Sequence, residues 1–525
     1  MNFDLPYPSV RTPLLARQAV ATSHPLAAQA GLLALEAGGN AVDAALTAAA
    51  MLTVVEPTMN GLGGDLFAIV SDGAALHGLN ASGRAPLAWT PARFARYRAM
   101  PQLGWDAVTV PGLVSGWVAL SERFGKLPFA RLLAPAIRYA ATGYPVMPKI
   151  ASLWAQAESR FAEFPAFRRT FLPDGRAPRA GEWFRCPDLA ESLTAVADTR
   201  GESFYRGDLA RRIAAAAASD GGAMTLEDLD AHRAEWVDPI DIEYQGVRVH
   251  ELPPNGQGLA TLLALGILKA LEAPARGPDH PETLHLQIEA MKLAFAECAK
   301  HVGDPRTMRV DPASLLASSH LAALGSRIRL DRAQPMLRRP KRDHGTVYVA
   351  AADRNGNMAS LIQSNYLGFG SGVVVPETGI SMHNRGLGFS LDPSSPCHVA
   401  PRARPYHTIM PGLVSRGGEP VMAFGVMGGH MQPQGHVQIV SRMFRYGQNA
   451  QAACDAPRWY VSPEGLVGLE SGVPSEVRSR LAQLGHEFLP ADDATLFGGA
   501  QVIVRGTEGY CAASDPRKDG QAVGS

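Results

Sequence analysis

The sequence predicts an α+β protein built as one composite fold, and three observations lead there. Apolar residues recur at helical spacing, punctuated by glycine and proline, through most of the first 330 positions. After residue 346 the pattern changes to strands. Between the two lies AQPMLRRPKRDHG (333–345), polar and basic with two prolines, the stretch most like a linker in the chain. Helical runs followed by strand runs are the pattern of an α+β fold. No internal repeat or low-complexity segment breaks it.

Two helices open the chain. Ser23 is placed to cap the first, with Pro25 in its opening turn and Gly38-Gly39 ending it. Asn40 caps the second, Asp43 suits its positive end, and Pro57 stops it. TMNGLGGDLFAIV then reads as a glycine-rich turn feeding a strand. It is no dinucleotide loop, since Leu66 stands where GxGxxG needs glycine, and no phosphate loop, since no lysine follows. Close backbone packing is the expected reason for these glycines. Residues 108–145 read as two helices broken at Gly125 and Pro128, 164–186 as a surface excursion, and 257–272 and 282–302 as helices.

With 46% hydrophobic and 19% charged residues, the 525-residue chain can bury a large core. Lys+Arg and Asp+Glu balance at 49 each, so nothing favours non-specific attraction to nucleic acid or an anionic membrane. The five cysteines (186, 298, 397, 454 and 511) are scattered without CxxC spacing, which points to free thiols. MNFDLPYPSVRTPLLARQ has prolines and charges where a secretory leader needs an apolar run. The longest apolar stretch, 41–55, contains Asp43 and is too short to span a bilayer. A soluble, cytoplasmic protein is the expectation. The 15 histidines show no HExxH or paired ligand spacing, so no metal is expected.

Thr346 heads TVYVAAAD, and MASLIQS follows the Asn355-Gly356 turn, which predicts a hairpin. Threonine suits a strand through its branched side chain alone. A second reading is chemical. A threonine hydroxyl becomes a nucleophile when a base takes its proton, and its own α-amine serves once the chain is cut just before it. That scheme needs a flexible peptide ahead of the threonine and a rigid strand behind it, and both are predicted here. Acyl transfer also needs donors for the oxyanion. In VMAFGVMGGHMQPQGHVQIVSRMFRYG (421–447), an apolar strand ends at Gly428-Gly429, and a helix starting near Pro433 runs to Gly447. Paired glycines leave two backbone N–H groups unobstructed, though Gly-Gly between strand and helix is also an ordinary turn.

The chain resembles the γ-glutamyltransferase family of N-terminal-nucleophile hydrolases over nearly its whole length. The resemblance rests on HPLAAQAGLLALEAGGNAVDAAL, EPTMNGLGGDLF, VPGLVSGW, ELPPNGQG, HGTVYVAAADRNGN, FGSG, FGVMGGHMQPQGH and ASDPRKDG. It implies a four-layer αββα sandwich and a precursor cut between Gly345 and Thr346. Residues 1–345 would then be the large subunit and 346–525 the small one, together a heterodimer and possibly a dimer of heterodimers. It makes Thr346 the nucleophile, Gly428 and Gly429 the oxyanion hole, and Ser364 the second hydroxyl. No cofactor is implied.

The departures from the family pattern concern the substrate. GISMHNRGLGFS puts Arg385 and Gly388 where family members carry acids for an α-ammonium. RPYHTIMP offers His407 and Thr408 in place of paired serines. Tyr366 replaces an asparagine, with Asn365 beside it. Ser82 occupies the register of a carboxylate-binding arginine, and Arg84, two residues on, is the candidate substitute. Losing both acids and gaining Arg385 removes an ammonium site and favours an anion. The activity implied is cleavage of γ-glutamyl amides such as glutathione through an acyl-threonine. One alternative is an acylase or amidohydrolase acting on another dicarboxylic monoamide, of glutaryl or oxamate type. Another is an unprocessed scaffold.

Overall fold

The computed structural model describes residue 3 and residues 10–272, 276–335, 345–490 and 494–525. The expected processing arm therefore lies, at 336–344, outside the described residues.

The hairpin predicted at 346–364 forms the centre of a seven-stranded antiparallel sheet. In order, the strands are Gln521–Gly524, Ala19–Thr22, Gly345–Ala352, Met358–Tyr366, Asp65–Ser71, Leu76–Asn80 and Glu235–Val237. Its turn is tied by Asp353, whose Oδ1 accepts from the Asn355 N–H at 2.8 Å. Gly356 takes the positive φ of 93° that such a turn requires. A second sheet, also of seven antiparallel strands, runs Leu14–Ala16, Tyr510–Ser514, Gly499–Arg505, Glu419–Met427, Gly412–Arg416, Val247–Glu251 and Ile240–Tyr244.

Every side chain from Val347 to Ala352 is buried, because both faces of the strand are covered. Val347, Val349 and Ala351 pack under the helices Pro25–Glu36, Ala41–Val55, Leu113–Phe124 and Phe129–Thr142. Tyr348, Ala350 and Ala352 face Leu413, Ala423, Met427 and Ile503 of the second sheet. A second helical layer, including Gly258–Ala270, Pro281–His301 and Met431–Val440, covers that sheet's outer face. The result is the four-layer αββα sandwich. Strands from before and after residue 345 interleave in both sheets, so neither part has a complete sheet of its own.

Most predicted helices appear where the caps placed them. Asn40 accepts from the Val42 and Asp43 N–H groups, and Asp43 returns a bond from the Asn40 N–H, completing a capping box. Three details differ. The first helix is capped by His24, not Ser23, whose hydroxyl donates instead to the buried Glu56. The helix after Gly429 begins at Met431 and ends at Val440, before a π-helical turn, Ser441–Arg445. The stretch 164–186, expected as a surface excursion, buries Phe167, Phe171 and Phe184 around Phe369 and Trp154. Its prolines and arginines concealed an aromatic nest that props the turn after the central hairpin.

Candidate active site

Pairing of the central hairpin slips at its open end. Gly345 pairs with Tyr366 but Val347 with Gln363, and the bulge takes Thr346 and Ser364 out of the regular ladder. Their hydroxyls lie 3.2 Å apart. Ser364 Oγ donates to the Gly345 carbonyl at 2.5 Å and accepts from the Tyr366 N–H at 2.7 Å. With the Ser364 proton directed at that carbonyl, the Gly345 carbonyl is polarised beside Thr346 Oγ. Tyr366 holds φ of 75°, a strained value for a non-glycine residue.

The glycine-rich turn before Asp65–Ser71 buttresses this bulge. A Cβ on Gly64 would stand 2.8 Å from both the Ser364 carbonyl and Asn365 Oδ1, so only glycine allows the approach. Asn365 donates to Ser381 Oγ at 2.9 Å and serves as a strut at the bulge. Gly428 and Gly429, beyond the strand Glu419–Met427, have φ of 125° and 56°. Neither N–H is hydrogen-bonded among the described residues. Gln257 Nε2 donates to the Gly429 carbonyl at 2.8 Å and to the Thr408 carbonyl at 2.5 Å, locking the glycine turn to the neighbouring loop. Thr346 and Gly428 line one cavity of about 490 Å³ together with Gly368 and Phe369.

Arg385 lies wholly buried beside these groups. It donates to Thr408 Oγ1 at 2.8 Å and Ser364 Oγ at 3.3 Å, its guanidinium sits 4.3 Å from the Tyr366 ring centroid, and its Nε has no partner. Burial pulls the guanidinium down to about 10, against the attraction of Asp65, so it stays charged at neutral pH. Asp65 accepts from the Gly83 and Gly112 N–H groups and from His407 Nε2, the last at 3.0 Å. Burial raises its carboxyl, but His383, His407 and Arg385 outweigh it and hold the group well below the usual carboxylate range. His407 is pulled to about 3 by burial and by Arg385, so it is neutral and acts as a hydrogen-bond donor to Asp65.

Thr346, Ser364, Tyr366, Arg385 and Thr408 therefore form one connected group, with Gly428 sharing the cavity and Gly429 tied to Thr408 through Gln257. His407 is one step removed, on Asp65. Arg84 is not brought to this group by its hydrogen bonds: its guanidinium is engaged by Glu235 at 2.9 Å and Asp304 at 3.2 Å. Sequence reasoning missed Asp65, His383 and Gln257. Asp65 had a visible signal, a lone acid opening an otherwise apolar strand.

Buried neutral histidines carry a stability consequence. His24, His232, His407 and His436 are each pulled to about 3 by burial. Below the unfolded value of about 6.5 the unfolded chain binds protons that the folded chain refuses, so stability falls as pH drops. At pH 5 each such histidine costs about 2 kcal/mol, and the four together rival the net stability of a typical protein. Glu56 and Glu251, both raised by burial, offset part of this between about pH 7 and 4.5, so urea midpoints measured from pH 7.5 to 5 should fall by less than the four histidines alone would give; midpoints that rise toward pH 5 contradict neutral burial.

One further group, His285, Glu289 and His486, places three ligand-type atoms within 4.8 Å of one another. The Lys292 ammonium, 2.8 Å from Glu289, already fills the cation's role there. No helix among the described residues is long and apolar enough to cross a membrane.

Residues 27–525 match the family model described as gamma-glutamyltranspeptidase. The chain is 37% identical to the glutathione hydrolase-like YwrD proenzyme of Bacillus subtilis, over 97% of this chain and 98% of that one. It is 39% identical to the oxamate amidohydrolase proenzyme of Klebsiella pneumoniae, over 95% and 97% respectively. The crystal structure of cephalosporin acylase from Bacillus halodurans superimposes with a TM-score of 0.96 at 46% identity, covering 100% of this chain and 99% of that chain. With the whole architecture and nearly the whole sequence in agreement, this chain belongs to the gamma-glutamyltranspeptidase family of N-terminal-nucleophile hydrolases.

Proposed function

We propose that the protein is a self-processing amidohydrolase for amides whose acyl part carries a carboxylate and no α-ammonium. In processing, Thr346 Oγ attacks the Gly345 carbonyl carbon, whose oxygen is polarised by Ser364. A C–O ester bond forms, the C–N bond breaks, and the hydroxyl proton passes to the departing nitrogen, which becomes the α-amine of Thr346. Water then hydrolyses the ester, leaving a carboxylate on Gly345. In turnover the freed amine takes the proton from Thr346 Oγ as it attacks the substrate carbonyl, and the amine product leaves with that proton. The N–H groups of Gly428 and Gly429 are the oxyanion donors. Water, or an amine acceptor, releases the acyl-threonine.

Arg385 is the observation that carries the specificity. It is a buried cation with an unused donor, bonded to the hydroxyl that bonds the nucleophile. Its positive charge, one hydroxyl removed from Thr346, favours a carboxylate one to a few carbons from the scissile carbonyl and disfavours an ammonium. The relatives named for oxamate and cephalosporin chemistry support this reading. The glutathione hydrolase-like relative keeps the γ-glutamyl amide as the competing substrate.

The test measures kcat/KM of purified, split protein on glutaryl and γ-glutamyl p-nitroanilides, with ammonia release from oxamate alongside. A preference of tenfold or more for the ammonium-free amides is expected, since a desolvated like-charge contact costs on the order of 1.4 kcal/mol or more. Faster γ-glutamyl release would refute the acyl specificity. A single intact band on a denaturing gel, persisting on incubation, would instead identify a scaffold.

A further inference from the structure

The cavity holding Thr346 has a second wall that the reaction described above does not use. Lys149, Arg160, Arg517 and Lys518 line it, and among the described residues no aspartate or glutamate does. Arg517 is spent internally: its donors go to Glu470, Asp515 and the carbonyls of Cys454 and Ala456. Lys518 differs. Its stem lies flat against Gly499, where a Cβ would stand 2.6 Å from Lys518 Cγ. Burial pulls its ammonium down and Lys149 adds to this, while Glu56, Asp515 and Asp519 act in the opposite sense. Glu56 offers it little negative charge, being itself raised to about 7 by burial and bonded to Ser23.

Arg385, Tyr366 and Thr408 do not line this cavity; they lie behind Ser364. Arg385 acts on the cavity from behind, through Ser364, whereas Lys149 and Lys518 stand in its wall. A volume of about 490 Å³ suits a whole small-molecule ligand. A short acyl group seated at Thr346 leaves most of that space to the amine part.

We propose that Lys518, with Lys149, forms a carboxylate subsite for the amine part of the substrate, so that the preferred substrates are amides of carboxylate-bearing amines. This inference rests on the acyl reading above and adds the chemistry of the other half of the molecule. A ligand carboxylate there would complete a lysine held by its stem in a wall whose described charged residues are all cations, with Asp519, which accepts from the Lys149 N–H, as the acid beside it.

A matched pair of amides tests it: N-glutaryl-4-aminobenzoate and N-glutaryl-4-aminobenzamide, which differ in one charge on the amine part. The wild-type protein should favour the benzoate by about tenfold or more in kcat/KM, the worth of one charged hydrogen bond. In Lys518→Met, which keeps the stem on Gly499, that ratio should fall toward one, and Lys149→Met should lower it less. An unchanged ratio in Lys518→Met, or no benzoate preference in the wild type, overturns the subsite while leaving the acyl reading intact. A third amide, N-butyryl-4-aminobenzoate, separates the two sources of carboxylate. If Lys518→Met lowers the glutaryl-to-butyryl ratio instead, the lysine reads the acyl part and the proposal is wrong. If the split wild type cleaves none of the three, the failure lies with the acyl reading. Splitting into two fragments serves as the folding control for each variant.

Discussion

Thr346→Ala yields a protein that remains one 525-residue chain and hydrolyses no amide above background. Both losses follow from one atom. The hydroxyl is the attacking group in chain scission, and without scission no α-amine exists to act as base. Removing a nucleophile of this kind costs on the order of 10³-fold or more in turnover. The fold should survive, because Thr346 contributes one hydroxyl bond and a methyl group to a strand held by Val347 through Ala352. Thr346→Ser gives the complementary result: it keeps the hydroxyl, loses the methyl that limits its rotamers, and should split more slowly yet retain turnover. If Thr346→Ala splits on schedule, the cut is made by another agent and the mechanism proposed here is wrong. Denaturing gels over several days, run beside the wild type, read this out.

Arg385→Met should lower kcat/KM on a carboxylate-bearing acyl amide by on the order of 100-fold, with a far smaller change on the butyryl amide. The charged donor lost is one that a neutral acyl group cannot use. Asp65 is the complication, because Arg385 is one of the groups whose positive field holds its buried carboxyl ionised, so some loss of stability accompanies the substitution. Arg385→Lys therefore accompanies it: charge is retained and the planar, multiply donating head is lost, so an intermediate discrimination is expected. Equal losses on charged and neutral amides would make Arg385 a structural partner of Asp65, Thr408 and Tyr366, and the carboxylate specificity would fall.

Much of this site was legible in the sequence because its logic is local. A threonine at the head of a strand, behind a basic linker and ahead of an Asn-Gly turn, announces the hairpin, while its catalytic reading rests on the family resemblance. Gly428-Gly429 between strand and helix is legible in the same way. The aromatic nest around Phe369 was not, since Phe167 and Phe171 share one short helix but meet Phe161 and Phe369 only in three dimensions. Arg84 shows the limit of register arguments. Two residues from the expected position, it found carboxylates at Glu235 and Asp304, partners 151 and 220 positions away that no local pattern reveals. Lys518 was likewise quoted in a motif without a role, because only the folded chain brings residues 149 and 518 to the same wall as Thr346.

The most direct test is the N-terminal sequence of the smaller fragment, taken from protein whose amide turnover has just been measured. The account requires Thr-Val-Tyr, with residue 346 first and its amine unblocked. A fragment that begins at any other residue, or full activity in material that is still one chain, would contradict it.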